Sequence, residues 1–266
     1  WQATTGDANL SYKWTPEILT YISAARGYKA GGFNDGIGEI TNPPFAPEYV
    51  LTYETGLKST FLDRRLRLNV SAFYLDWKDI QTAGFGYDSQ TLEFTYLTGN
   101  FAHAYSRGGE LELAVLPLPE LELTMNAGLQ EGRIPPNESA QVKGADALTG
   151  PKYTVDWGAQ LTEPLGGGHL ILSGDALLRG PQHFIQGAPT PGYILSPYQH
   201  SFTLLNGRLT YDLPDGKQSV ALWGKNLTDK AYFTKYFDLG GNPFLPPSAI
   251  VLGEPRMYGV DYRVRF

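Results

Sequence analysis

Hydrophobic and polar residues alternate with period two in one segment of this chain after another. Between Tyr105 and Val115, the residues Gly109, Leu111, Leu113 and Val115 share one parity while Glu110 and Glu112 hold the other. Next, Leu121, Leu123, Met125, Ala127 and Leu129 alternate with Glu122, Thr124, Asn126, Gly128 and Gln130. Tyr153, Val155, Trp157, Ala159 and Leu161 do the same against Thr154, Asp156, Gly158 and Gln160. The last segment sets Tyr258, Val260, Tyr262, Val264 and Phe266 against Gly259, Asp261, Arg263 and Arg265. Successive strand side chains point to opposite faces, so each segment is a β-ribbon with one apolar and one polar side. The pattern predicts about eleven strands, roughly at 7–14, 18–28, 49–61, 65–78, 104–115, 121–131, 152–162, 169–179, 200–212, 218–228 and 256–266. Strands 18–28 and 218–228 alternate poorly, and their faces are left unassigned.

The connections are of two kinds. Short turns fall at Thr15-Pro16-Glu17, Leu62-Asp63-Arg64, Leu116 to Glu120, Gly166-Gly167-Gly168 and Pro214-Asp215-Gly216. Pro presets φ and Gly supplies positive φ, so each turn reverses a strand within a few residues. Long polar and aromatic loops lie between them, near 29–48, 79–103, 132–151, 180–199 and 229–255. Strict alternation of short and long connections is the pattern of an outer-membrane barrel, with short periplasmic turns and long outer loops. The last strand then runs away from the long-loop side, and counting back eleven strands puts Trp1 on the outer side. Bacterial single-chain barrels have even strand numbers, so the chain is expected to be part of a larger barrel.

Composition narrows the choice. The 266 residues carry a net charge of −6, with 17 Tyr, 13 Phe and 5 Trp but no Cys. An acidic balance argues against nucleic acid, which asks for clustered Lys and Arg. Without Cys there is neither a disulfide framework nor a thiolate metal site. No stretch reaches the ~18 consecutive apolar residues of a membrane helix, whereas a barrel needs only alternate residues facing lipid. With no start Met, basic n-region or apolar h-region, any targeting segment is expected outside these residues. His103, His169, His183 and His200 show no metal-ligand spacing, and no Gly-x-Ser-x-Gly elbow is present. No catalytic residue, metal or cofactor is expected, and the chain does not read as an enzyme.

Charge at mid-bilayer costs about 2–4 kcal/mol for Lys or Arg. Glu54, Lys58, Arg67, Glu110, Glu112, Glu122, Asp156 and Arg208 are therefore expected to face a wet lumen, as a charge network or as contacts for a plug or ligand. Trp14, Trp77, Trp157, Tyr21, Tyr74 and Tyr258 suit the two interfacial girdles. In the outer loops, Tyr28, Phe33, Phe85, Tyr87, Phe184, Tyr193, Tyr232 and Phe233 either stack on a planar ligand or pack at loop tips.

Several longer motifs point to one family. Arg26-Gly27-Tyr28-Lys29-Ala30-Gly31-Gly32-Phe33-Asn34 resembles a strand-to-loop signature of TonB-dependent receptor barrels. Pro47-Glu48 with Tyr53-Glu54-Thr55-Gly56-Leu57-Lys58, and Phe73-Tyr74-Leu75-Asp76-Trp77-Lys78-Asp79-Ile80-Gln81, are similar to the strands that follow in that family. Asn226-Leu227-Thr228-Asp229-Lys230, Gly253-Glu254-Pro255-Arg256 and the final Phe266 resemble its last hairpin. Asn100-Phe101-Ala102-His103-Ala104 departs from the family, which usually has a Gly-containing turn there.

The resemblance implies an all-β transmembrane antiparallel β-barrel, with residues 1–266 similar to the C-terminal half of a 22-stranded barrel whose plug and first strands lie elsewhere. Barrels of that size enclose a plugged lumen. It further implies a bacterial outer-membrane receptor for an iron–siderophore or similar scarce ligand, driven by the TonB–ExbB–ExbD complex through the plug. Outer-membrane lipid and the barrel assembly machinery would be its other partners. On this resemblance, Arg26, Tyr28, Phe33, Asn34, Phe85, Tyr87, Phe184 and Tyr232 are the expected ligand contacts, and Tyr258, Tyr262, Val264 and Phe266 the assembly signal. A passive channel or non-transporting barrel is the alternative. A soluble β-rich binding or hydrolytic protein is a third reading, in which the apolar faces would have to pack together.

Overall fold

A computed structural model describes residues 2–34, 44–88, 93–100, 103–133, 150–184, 198–238 and 248–266, so the expected outer position of Trp1 lies outside the described residues. Its core is one antiparallel sheet of 11 strands. They are β1 Gly6–Thr15, β2 Ile18–Lys29, β3 Glu48–Phe61, β4 Leu66–Lys78, β5 Ala104–Leu118 and β6 Leu121–Arg133. After them come β7 Tyr153–Leu165, β8 Gly168–Arg179, β9 Phe202–Asp212, β10 Gln218–Lys225 and β11 Met257–Val264. All eleven expected strands are present within a few residues of the boundaries read from the alternation. Each pairs with its sequence neighbours, which leaves β1 and β11 as the two edges of the sheet.

The turns follow the residues that form them. Gly166 and Gly167 take φ of 57° and 80°, a region open to glycine at no steric cost. Leu62, Asp63 and Arg64 also sit at positive φ (53°, 53° and 69°), where a side chain is strained, and neighbouring contacts hold them. Arg65 N donates to Leu62 O at 3.0 Å, and Arg65 Nε donates to Leu116 O at 2.9 Å across to the next hairpin. In the turn between β9 and β10, the carboxylate of Asp215 accepts from the backbone N–H of Lys217 and the side-chain amide of Gln218, which hold its pKa below the usual carboxylate range. Because the folded value is the lower one, this contribution is present above the unfolded pKa. It is lost as pH falls through the folded value.

Cross-strand register fixes the faces. Residues directly opposite in an antiparallel pair share a face. The row Lys58, Asn69, Glu112, Asn126, Asp156 runs unbroken from β3 to β7. The neighbouring row Leu57, Val70, Leu111, Ala127, Val155, Leu178 occupies the other face. Followed through every pair, the register puts all eight charges expected in the lumen on one face. It also assigns the two strands that alternate poorly. On β2, Ile18, Thr20, Ile22 and Ala24 fall on the apolar face, and on β10 Val220 and Leu222 do.

The apolar side chains have almost nothing to pack against. Among the described residues only Ile80, Ala104, Phe202 and Ala221 are buried hydrophobics, while Leu172 is 54% and Val260 68% exposed. A ladder paired everywhere between its two edge strands, with a continuous bare apolar face, asks for hydrocarbon. No described helix is long and apolar enough to cross a membrane, and a barrel crosses with strands.

Two aromatic residues expected at the interfacial girdles lie on the polar face instead. Tyr21 lies across Gly56 of β3, where any Cβ would collide with its ring, and its hydroxyl donates to Glu54. Trp77 donates from Nε1 to Glu48 Oε1 at 2.6 Å. Each ring covers a gap or meets a buried acceptor, and that local demand outweighs the aromatic preference for the lipid boundary. Trp223 over Gly259 repeats the arrangement near the far edge. Trp14, Tyr74, Trp157 and Tyr258 do belong to the apolar face. Trp14 packs edge-on against Tyr12 at 4.7 Å.

Candidate functional site

The polar face carries two concave regions. The first, about 660 Å³, is lined by Tyr21, Glu54, Lys58, Glu110, Glu112 and Asp156, among others. Part of its charge is matched. Arg67 pairs with Glu112 at 2.9 Å, Asn69 Nδ2 donates to Glu112 Oε2 at 2.9 Å, and the Lys58 ammonium sits 5.7 Å from the Tyr21 ring centroid. Among the described residues Glu110 and Asp156 have no ion-pair partner, so this wall is acidic and open to a cationic or hydrogen-bonding group. The second region, about 470 Å³, lies between β8 and β11. There Arg208 pairs with Asp261 at 2.7 Å, Trp223 Nε1 donates to Asp261 Oδ1 at 3.1 Å, and Asn206 Nδ2 donates to Asp175 Oδ2 at 2.6 Å. These charges are already satisfied, so the second region is the better matched of the two. Among the described residues no group of three or more His, Cys, Asp or Glu could hold a metal.

Beyond the long-loop ends of the strands, the long connections continue as small hairpins. Gly32–Phe33 pairs with Pro44–Phe45, Gln81–Asp88 with Glu93–Asn100, Gln182–His183 with Tyr198–Gln199, and Phe233–Asp238 with Ser248–Leu252. Side-chain amides and one buried carboxylate bind their bases together. Gln81 N donates to Glu48 Oε2 at 2.7 Å, and Gln81 Nε2 donates to Ala30 O at 2.9 Å and Ala46 O at 3.0 Å. Asn34 Nδ2 donates to Thr98 O at 2.9 Å while Thr98 N donates back to Asn34 Oδ1 at 2.6 Å. The first and second long connections are thereby stitched to one another.

These contacts separate the expected ligand residues. Asn34 is buried and ties two loops, so its amide is spent on structure. Tyr232 stacks on Phe202 with centroids 4.8 Å apart, at the root of the last long connection. Arg26 and Tyr28 sit on the apolar face, opposite Leu51 and Tyr49, and point away from the polar one. Of these four, two therefore lie on the face away from the concave regions and two are engaged by other residues of the chain. Phe33 is 71% exposed and Phe184 half-buried, both near the loop bases. Phe85 and Tyr87 lie on the hairpin strand Gln81–Asp88 with side chains outside the description, and Tyr193 is outside the described residues.

Sequence reasoning missed the structural role of Asn226. It is buried at φ 46°, donates from Nδ2 to Lys230 O and Glu254 O, each at 3.0 Å, and accepts from Lys230 N at 2.8 Å. Three backbone groups of the last long connection depend on one side chain. The available signal was residue type, since Asn and Asp tolerate the positive φ that Asn226 and Asp229 adopt, 46° and 53°. Asn226→Ala is expected to destabilise the protein by about 1–3 kcal/mol, the cost of stranding buried partners. Denaturant unfolding in lipid vesicles would show this as a lower midpoint.

Comparison with known proteins supplies the context. A family model described as TonB dependent receptor-like, beta-barrel matches residues 1–227. The metal-pseudopaline receptor CntO of Pseudomonas aeruginosa is 27% identical over 153 residues, covering 58% of this chain and 20% of that protein. The ferric yersiniabactin uptake receptor FyuA from Yersinia pestis superposes with a TM-score of 0.81 at 20% identity, over 98% of this chain and 37% of that one. The ferric preacinetobactin receptor BauA from Acinetobacter baumannii gives a TM-score of 0.68 at 22% identity, over 98% and 36%. The chain thus spans a fifth of the length of the curated relative and little more than a third of these solved structures.

Proposed function

Because the chain belongs to the family of TonB-dependent receptor-like β-barrels, we propose that it forms part of an outer-membrane receptor that takes up an iron–siderophore or similar scarce ligand, driven by TonB. The observation that carries this reading is the acidic, partly unmatched wall on the polar face. On it, Glu110 and Asp156 stay open while Arg67 and Glu112 are locked together. A passive pore needs only a wet lumen. A receptor needs a lumen wall that grips and releases a plug, and open carboxylates beside locked ion pairs provide groups for that exchange.

In this reading the apolar face meets lipid, the polar face lines the lumen, and the hairpins with Phe33 and Phe184 form the ligand-facing roof. TonB, with ExbB and ExbD, acts on a plug domain outside these 266 residues. The barrel assembly machinery reads the apolar alternate of β11, where Tyr258, Val260, Tyr262 and Val264 stand exposed in one row leading to Phe266. Phe266→Ala is expected to lower the outer-membrane level of the receptor on a membrane blot more than a substitution in the 239–247 segment does.

The function is tested by deleting the full-length receptor and growing the strain on defined iron sources, each a single ferric siderophore under iron limitation. Growth is expected to fail on one source and to return with the intact gene, but not in a strain lacking TonB. Unchanged growth on all of them would contradict iron uptake, and rescue without TonB would mark a passive channel.

A further inference from the structure

The apolar face carries charges that the lumen does not use. Arg26, Lys78, Arg107 and Arg133 all share its parity and lie near the long-loop ends of β2, β4, β5 and β6. Three successive rows hold them. The uppermost is Tyr28, Tyr49, Lys78. Below it come Arg26, Leu51, Asp76, Tyr105 and Arg133, and then Ala24, Tyr53, Tyr74, Arg107 and Glu131. Only two carboxylates stand among these four cations, and both are engaged. Asp76 meets His103, while Glu131 is shared by Arg107 at 2.8 Å and Arg133 at 2.6 Å. Arg26 and Lys78 have no ion-pair partner among the described residues, and the Arg26 guanidinium is held 5.2 Å from the Tyr49 ring centroid. A fixed excess of positive charge therefore faces outward at the height of the outer-leaflet headgroups, braced by Tyr28 on Tyr49 and Tyr74 on Tyr105.

Directly beneath lies a depression of about 610 Å³ on the same face. Ala8, Ala24 and Ala72 line it together with Leu10, Tyr53 and Tyr74. These alanines beside larger apolar side chains leave an open apolar trough that a hydrocarbon chain can occupy. Ala24 lies two residues below Arg26 on β2, and Tyr74 is the cross-strand partner of Arg107. Strand spacing puts the two arginines roughly 15 Å apart, one at each side of the trough. Anionic headgroups are drawn to such basic clusters at a membrane surface.

We infer that this surface is a binding site for one phosphorylated saccharolipid of the outer leaflet. Its acyl chain lies in the Ala8–Ala24–Ala72 trough, and its phosphates rest on Arg26 and Arg107. A headgroup with two phosphates at opposite ends of a disaccharide matches the separation of the cations better than a single-phosphate lipid. The inference rests on the membrane-barrel reading proposed above.

The test uses the full-length receptor in detergent, titrated by native mass spectrometry with lipid A, with dephosphorylated lipid A and with phosphatidylcholine. One lipid A molecule is expected to bind, and R26Q/R107Q to weaken it about tenfold or more, two surface cations being removed. Ala24→Trp, which fills the trough, is expected to abolish retention with every charge intact. Should that variant fail to fold, Ala72→Leu is read in its place. Heat-modifiable gel migration reports folding independently, so a receptor that does not form a barrel fails there and not in the titration. Equal binding of phosphorylated and dephosphorylated lipid, or unchanged binding by R26Q/R107Q, would overturn the proposal. Competition by millimolar inorganic phosphate that displaces the whole lipid would reduce the site to an anion site and overturn it too. So would a second protein, rather than lipid, co-purifying on the trough.

Discussion

Arginine at Leu111, Leu123 or Val155 will destabilise folding into lipid by about 2–4 kcal/mol more than arginine at Glu112, Glu122 or Asp156. Leu111 and Val155 flank Ala127 in one mid-strand row on the apolar face. Glu112 and Asp156 flank Asn126 in the adjacent row on the polar face. Leu111 and Val155 thus match Glu112 and Asp156 in height, and Leu123 matches Glu122 nearer the short-turn end, so depth in the bilayer cannot explain a difference between the sets. The measurement is denaturant-induced unfolding of the full-length receptor in lipid vesicles, with single substitutions. Equal losses in both sets would mean that the two faces meet the same medium, and the membrane orientation would fall.

The 266-residue chain expressed alone will not form a stable closed barrel. β1 and β11 each have one neighbour, and each leaves a row of backbone N–H and C=O groups unpaired. In hydrocarbon every such group costs several kcal/mol. Closing the sheet on itself offers no easy remedy. β1 runs toward the short turn at Pro16 and β11 runs away from the long connection before it, so both point the same way. Joining them would insert a parallel pair into an otherwise antiparallel sheet, with a poorer ladder than its neighbours have. Refolding into detergent followed by gel migration and protease challenge checks this. A protease-resistant, heat-modifiable monomer would show that eleven strands suffice.

Much of this arrangement was legible in the chain because period two leaves little freedom. Leu121 to Gln130 alternates so regularly that strand, face and neighbours follow from it, and Gly166-Gly167 and Pro214-Asp215-Gly216 could only be turns. β2 and β10 were harder, since Ala24, Ala25, Gly27, Ala221 and Gly224 carry too little side chain to declare a face, and only pairing with β3 and β9 assigns them. Tyr21 and Trp77 misled for another reason. An aromatic ring is equally at home at a lipid boundary and over a cross-strand glycine or beside a buried acceptor, and that choice depends on residues thirty positions away. The loop site was the least legible. Asn34 reads as a polar ligand contact and Asn226 only as part of a hairpin motif, yet their partners Thr98 and Glu254 are brought in by the fold. Arg26 lies in a motif that resembles a strand-to-loop signature, and its strand parity turns it to the apolar face.

The account stands on which face of the sheet meets lipid, and β6 tests that most directly because its residues 121–130 alternate without a break. In a cysteine-free full-length receptor (these 266 residues contribute none), a fluorophore is attached through single cysteines at each position from Leu121 to Gln130, in vesicles with brominated acyl chains. Quenching by lipid is predicted at Leu121, Leu123, Met125, Ala127 and Leu129. Emission at Glu122, Thr124, Asn126, Gly128 and Gln130 should instead respond to a water-soluble quencher. Reversed alternation, or quenching with no period of two, would contradict the barrel.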